Sequence, residues 1–405
     1  MLDLSGARKL LEGKELNTRT GDEKSVLSSI PGYISTGSFV TDIYLGGHGL
    51  AYGRMHEFWG MQGSGKTTYA NQLGVQCQRA GGLVFWGAIE AGSWDPDRFK
   101  KFGGDPSQVL VSSPECLEAL FEYVYTIVTK VHGTIKKSAG EIPILIIVDS
   151  VNASPPRSLV KSGNVYADGM ASRQRALADF MKILELPLAK SKICLLFLNQ
   201  ISANIGAKWG AKKVKSAGTG NQYFHHLSTS VFLDYKKRGD SGQRIKLHLE
   251  KLRTERPGTS WETYMYYYYG VIEVHELFEV SVQYGLLEKS GQTMYDTSQE
   301  GIPKEQRAKW KGGQSGFIEY VQLRPAYYQN LLSRAKICVT RTVRARDVDL
   351  IKQLDLQYHA LVEQARNLEI LLMEGTPEFK LWTPHVSSID DSLEDSDAEG
   401  TEVED

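Results

Sequence analysis

No run of about 18 consecutive apolar residues occurs in this 405-residue chain, so it has no stretch suited to crossing a bilayer as a helix. The opening MLDLSGARKLLEGKE has neither the long apolar core nor the cleavage pattern of a secretory signal, and a cytoplasmic protein with no membrane partner is expected. Cysteine is scarce. Cys77, Cys116, Cys194 and Cys338 lie far apart in apolar surroundings, without metal-site pairing, and read as buried reduced thiols. Net charge is also small, −1 overall, but it is unevenly spread. Between residues 389 and 405 stand nine acidic residues and no Lys or Arg; without them 39 acidic residues face 47 basic ones, a net of +8. A basic body with an acidic tail suits a polyanionic partner whose access the tail tempers, and a merely solubilising tail is the plainer alternative.

What the chain does contain is HEFWGMQGSGKTTYANQLGVQCQ, from His56 to Gln78. A short apolar run enters a glycine-rich loop and leaves through a helical pattern with Leu73 and Cys77 four apart. Gly, four residues, then Gly-Lys-Thr is the spacing of a phosphate-binding loop, in the strand-loop-helix setting that the motif needs. Gly60, Gly63 and Gly65 allow successive backbone N–H groups to converge on an anion. Met61, Gln62, Ser64 and Thr68 complete the cradle, Lys66 can reach the β and γ phosphates, and Thr67 can ligate Mg2+.

Around this loop, buried-strand patterns alternate with helical ones, as in an α/β fold. Strands are expected at 83–89, 109–112, 144–148 and 193–198, and again at 230–234, 244–249 and 261–269. Helices are expected at 2–14, 94–99, 115–130, 170–186 (ended by Pro187) and 273–284, with a polar insertion at 131–141. Asp149 closes the most apolar strand, where a carboxylate can hold a magnesium shell, although such residues also cap helices. The segments 152–169 and 205–221 read as long irregular loops. The second carries Lys208, Lys212, Lys213 and Lys215 around Trp209, a composition fit to neutralise a single-stranded nucleic-acid backbone and stack on a base. A solvated loop in which Trp209 packs locally is the alternative. Lys251 and Arg253 are spaced to point one way from an extended chain, or to end a solvated strand. Beyond Lys289 the pattern turns polar and then helical, at 317–336 and 348–372, with a disordered tail from 375.

Taken in order, ISTGSFVTDIYLGGHGLAYGRMHEFWG, GSGKTT, AIEAGSWDP, IIVDSVNASPP, LLFLNQISANIGAKWG and LFEVSVQYGLLEKSG resemble the RecA recombinase family, including phage UvsX-type proteins, over residues 34–295. One phosphate loop is common to many families; the ordered set is specific. The resemblance implies a RecA-like P-loop NTPase core with a mostly parallel central sheet flanked by helices, plus a small C-terminal helical domain. It divides the chain into an N-terminal oligomerisation segment and linker (1–33), an ATPase and DNA-binding core (34–290), a C-terminal domain (291–374) and an acidic tail (375–405).

The resemblance further implies ATP and Mg2+ as bound species, and a helical homo-oligomer on single-stranded DNA that pairs it with double-stranded DNA. Mediator and single-strand-binding proteins would be partners, and the poor match outside the core leans toward a phage source. Glu90 falls on the family's catalytic glutamate, Asp149 on its magnesium-associated aspartate, and Gln200 on the glutamine that senses the γ phosphate. Asp95 and Phe99 fall on the adenine-contacting positions, one residue further from Glu90 than in bacterial RecA. The first DNA loop corresponds to 155–168, with Arg157 and Lys161, followed by Arg173. The second corresponds to 202–221, with Ser202, Asn204 and the Lys/Trp cluster. Lys251 and Arg253 match basic residues that reach ATP held by the adjacent subunit. A RecA-core ATPase serving as loader, motor or regulator, and a nucleotide-gated structural filament, remain as alternatives.

Overall fold

The computed structural model describes residues 27–366 apart from 91, 163–169, 204–212, 216–223, 254–257, 300–301 and 304–305. The helix expected at 2–14, most of the linker after it, Trp209 and the tail lie outside the described residues. A short ribbon, β1 (Tyr33–Ile34) with β2 (Leu50–Ala51), flanks helix α1 (Phe39–Tyr44). The main sheet uses β3 (Arg54–Gly60), β4 (Leu83–Ala88), β5 (Val109–Ser112), β6 (Ile144–Asp149), β7 (Ile193–Ala203), β8 (Lys213–Lys215), β9 (Thr229–Arg238), β10 (Gly242–Leu252) and β11 (Ser260–Tyr266). The path is β11-β10-β9-β3-β7-β6-β4-β5, with β8 on β7. From β9 to β5 all neighbours are parallel; β10, β11 and β8 join antiparallel.

Helices α2 (Lys66–Arg79), α3 (Pro96–Lys101), α4 (Leu117–Thr126), α5 (His132–Ala139), α6 (Arg157–Ser162) and α7 (Met170–Ala189) connect the parallel strands. All six residues of β6 are buried, which explains its unbroken apolar run: helices cover both sides. Burying one such aliphatic side chain stabilises by roughly 1.5–3 kcal/mol. One apolar cluster includes Leu73, Trp86 and Ile147, and the other includes Phe85, Ile146 and Leu184, so alternate residues of β4 and β6 feed opposite faces.

Beyond the sheet, α8 (Glu273–Gln283) leads to β12 (Leu287–Ser290), β13 (Thr293–Asp296) and β14 (Lys309–Lys311), a separate three-stranded sheet. Helices α9 (Gly313–Gln322), α10 (Pro325–Val343) and α11 (Val348–Arg366) follow. The C-terminal part is therefore not wholly helical. The expected boundary at 290/291 falls in the β12–β13 turn, where Gly291 takes φ +63° as a turn glycine, not as part of a linker.

Other expectations are corrected by local physics. The 131–141 insertion is largely helical: a π turn at Ile127–Val131 continues into α5, and Thr129 and Thr134 hydroxyls donate to carbonyls of the preceding turn. Residues 157–162 form α6 inside the presumed irregular first loop. Residues 213–215 form β8 because β7 overruns its parallel partner and Ile201, Ser202 and Ala203 pair back on them. Pro187 does not end α7, which runs on to Ala189. The single helix expected at 317–336 is split, with Pro325 opening the second.

Candidate nucleotide site

The carboxyl ends of β3, β4, β6 and β7 lie side by side, because Gly60 pairs with Gln200, Ala88 with Asp149, and Asp149 with Leu198. That edge is where open parallel sheets place ligands. Gly60 must be glycine: a Cβ there would lie 2.1 Å from the Leu233 carbonyl oxygen. Gly65 takes φ +96°, and a Cβ would stand 2.6 Å from Met265 Sδ. From Gly65 the chain turns directly into α2, so the helix N-terminus faces the loop. Gln243 Nε2 donates to Gly63 O at 2.9 Å and braces the loop from β10. Met61 is half-buried, Gln62 exposed and Ser64 buried, its hydroxyl without a hydrogen-bond partner among the described residues.

Lys66 folds onto its own loop, donating to Gly60 O at 3.0 Å and Met61 O at 2.8 Å. Burial pushes its ammonium down to about 8, against the opposing pull of Asp149 and Glu90. Thr67 Oγ1 donates to Asp149 Oδ2 at 3.0 Å. Burial raises the Asp149 carboxyl to about 6 although the Thr67 bond favours its charged form. Next to this pair, Gln200 Nε2 donates to Glu90 Oε1 at 2.7 Å, and the Ser150 hydroxyl donates to the same oxygen. Lys66, Thr67, Asp149, Glu90 and Gln200 are thus brought together from a helix, two strands and the segment just past a third.

Asp95 and Phe99 take different places. Asp95 caps α3 by accepting from the N–H groups of Asp97 and Arg98. Phe99 is 0% exposed, and its ring fills the space left by Gly74 of α2 and by Gly104, so it has no face for a base. The residue that turns toward the loop is its neighbour Arg98, whose Nη2 donates to Thr68 Oγ1 at 2.7 Å and to Tyr267 O at 3.2 Å. Its adjacent place on a helix, about 100° around the axis from Phe99, was the available signal. Ser150, Gln243 and Arg238 were also missed. The Arg238 guanidinium comes within 3.0 Å of where a Gly63 Cβ would stand, reaching over from the end of β9.

Lys251 and Arg253 are engaged elsewhere. Lys251 Nζ donates to Phe224 O at 2.5 Å and His225 O at 3.1 Å, and Arg253 Nη2 to His225 O at 2.8 Å and Glu185 Oε1 at 3.5 Å. Both therefore hold the turn Phe224–His226, just downstream of 202–221. Arg157 pairs with Glu122 at 3.1 Å while its N–H donates to Glu118, and Lys161 is exposed on α6. Arg173 lies in α7, Ser202 ends β7 and Lys213 and Lys215 form β8; Asn204, Lys208, Trp209 and Lys212 are outside the described residues.

A glycine loop running from a parallel strand into a helix, with the lysine, threonine and carboxylates gathered at one sheet edge, defines the phosphate-binding-loop NTPase class. Comparison with known proteins narrows this. The family model for the RecA N-terminal domain matches residues 11–272. Protein RecA of Paracoccus denitrificans is 30% identical over 264 residues, covering 64% of this chain and 70% of that protein. Protein RecA of Chlorobaculum tepidum is 30% identical over 301 residues (72% and 82%), and that of Sinorhizobium fredii 30% over 288 (69% and 74%). The chain belongs to the RecA family. Among the described residues no helix is long and apolar enough to cross a membrane.

Proposed function

We propose that this chain is an ATP-dependent DNA recombinase, which polymerises on single-stranded DNA into a helical filament and exchanges strands with a homologous duplex. The observation that carries the reading is the Gln200–Glu90 bond at 2.7 Å, because Gln200 lies on the strand that runs into the 202–221 segment. A γ phosphate, carrying more negative charge and three acceptor oxygens, competes with the Glu90 carboxylate for the Gln200 amide. The departure of Gln200 leaves Glu90 Oε1 with the Ser150 bond alone, opening a lone pair to orient and deprotonate the attacking water, and moves the end of β7 at the same time.

In this reading Lys66 exchanges its two loop carbonyls for β and γ phosphate oxygens. Thr67 and Asp149 offer hard oxygen donors suited to Mg2+, which when bound neutralises charge on the transferred phosphoryl group. In this reading phosphate oxygens and water complete the ion's shell, as is usual for Mg2+. Lys251 and Arg253 complete the site of the adjacent protomer, which makes hydrolysis depend on assembly. Lys161, Arg173, Lys208, Lys212, Lys213 and Lys215 neutralise phosphates, while Ser202, Asn204 and Trp209 contact the strand. Arg157 joins them only by leaving Glu122. The N-terminal segment drives assembly, the acidic tail restrains duplex DNA, and the complex works on DNA in the cytoplasm of a bacterium or phage-infected host alongside mediator and single-strand-binding proteins.

The test is strand exchange with ATP, comparing homologous with heterologous duplex. Joint molecules that require homology are expected. Hydrolysis stimulated by single-stranded DNA without such joints would instead mark a loader or motor.

A further inference from the structure

Beneath the loop, buried polar side chains join the strands that end in the proposed site. Glu57 on β3 is 1% exposed and accepts from Asn199 Nδ2 on β7 at 2.9 Å and from Ser230 Oγ on β9 at 3.0 Å. Ser230, fully buried, also lies 3.1 Å from Glu250 Oε2 on β10, and Glu250 Oε2 accepts from Trp59 Nε1 at 2.9 Å. Three members immediately precede a proposed functional position: Trp59 before Gly60, Asn199 before Gln200, and Glu250 before Lys251. The network thus touches the phosphate loop, the γ-phosphate sensor and the strand bearing the interface cations.

Ser230 is the branch point. A hydroxyl carries one hydrogen, so a bond donated to Glu57 excludes one donated to Glu250. With Glu57 chosen, β9 is tied to β3 and, through Asn199, to the Gln200 strand. With Glu250 chosen, β9 is tied to the Lys251 strand. These are two discrete arrangements of one buried proton, and each strengthens a different side of the site in a low-dielectric interior. A coupling route requires such a two-state element whose balance both ends can bias.

We propose that Ser230 is a positioning residue that couples the interface cations to the γ-phosphate sensor, by giving its single proton to Glu57 or to Glu250. The inference rests on the proposed recombinase reading. It holds that events at Lys251 alter how firmly Asn199, and hence Gln200, is held, with no contact between Ser230 and nucleotide or DNA.

The test measures single-stranded DNA affinity of the full chain with ADP and with a non-hydrolysable ATP analogue, for wild type, Ser230→Ala, Ser230→Thr and Trp59→Phe. ADP binding by dilute protein and the melting temperature are measured in parallel. In Ser230→Ala the ratio of the two DNA affinities should fall about tenfold, the size of an ordinary allosteric coupling, while ADP affinity holds. Ser230→Thr, which keeps the hydroxyl, should restore the ratio. Trp59→Phe, which withdraws the indole donor from Glu250, should shift the ratio without touching Ser230, and it remains decisive if Ser230→Ala folds poorly. An unchanged ratio in both Ser230→Ala and Trp59→Phe would overturn the proposal, as would loss of ADP affinity in step with the ratio. A wild-type ratio of one would remove the recombinase reading and this inference together.

Discussion

Arg98 and Phe99 are adjacent, yet one guanidinium reaches the turn of helix above the phosphate loop while the other ring is sealed beneath α2. Arg98→Ala should therefore weaken nucleotide binding about tenfold, as loss of a charge-assisted contact would, with Arg98→Lys recovering part of it. Phe99→Ala should instead cost about 3–5 kcal/mol of stability. Fluorescent-nucleotide titrations and urea melts separate the two, and the assignment fails if Phe99→Ala binds poorly while melting normally. Glu90→Gln should slow hydrolysis by about 100-fold or more while leaving ATP-dependent assembly intact, since only proton transfer is lost. A turnover assay beside light scattering checks it, and an unchanged rate excludes Glu90 from the chemistry. At this scale the phosphate loop was legible because its whole meaning is contiguous. Asp149 stood out at the end of an apolar run, whereas Glu90 came forward only through the resemblance. The Gln200–Glu90 bond joins residues 110 apart, and sequence spacing alone has no access to such a meeting. Which of Arg98 and Phe99 faces the loop is decided by helical phase, which residue type alone does not reveal.

The elements most clearly foreseen were those whose burial pattern is extreme. β6 is buried at every position, whereas β12 exposes three of its four residues and β14 two of three, leaving little apolar pattern to find. β8 is legible only once β7 is known to overrun its neighbours, since three residues contain too little signal. The turn Phe224–His226 belongs to the same lesson: its carbonyls are held by Lys251 and Arg253 from a strand end distant in sequence. If those cations move to a neighbour's phosphates, the turn loses its clasp as the site gains its charge. Lys251→Ala with Arg253→Ala should leave nucleotide binding of dilute protein within about threefold, yet abolish the rise in specific hydrolysis with protein concentration. Specific activity plotted against concentration reads this directly; a surviving rise would place the interface cations elsewhere.

Across the molecule, the buried Glu276 carboxyl ties α8 to two other elements. It accepts from Ser38 Oγ at 2.6 Å, Thr263 Oγ1 at 3.0 Å and Val40 N at 3.4 Å, linking the start of α1 to the edge strand β11. Burial pushes its carboxyl up to about 8 despite those bonds. A raised folded value means that the native state holds a proton the unfolded chain has released, so this contribution is full below about 4.5 and fades as pH climbs through about 8. Glu276→Gln, neutral at every pH, should flatten the decline of melting temperature between pH 5 and pH 9 and gain on wild type at the alkaline end. Parallel slopes for the two proteins would dismiss Glu276 as the cause. Beyond α8, the chain is tied to the core by Tyr328 OH donating to Glu273 Oε1 at 2.6 Å, and Leu287, Met294, Phe317 and Leu331 share an apolar cluster with Leu73 and Trp86. Trimming the gene to a minimal motor at codon 290 would consequently strand half a ribbon with its greasy underside open to water, and the resulting precipitate could be mistaken for a dead enzyme.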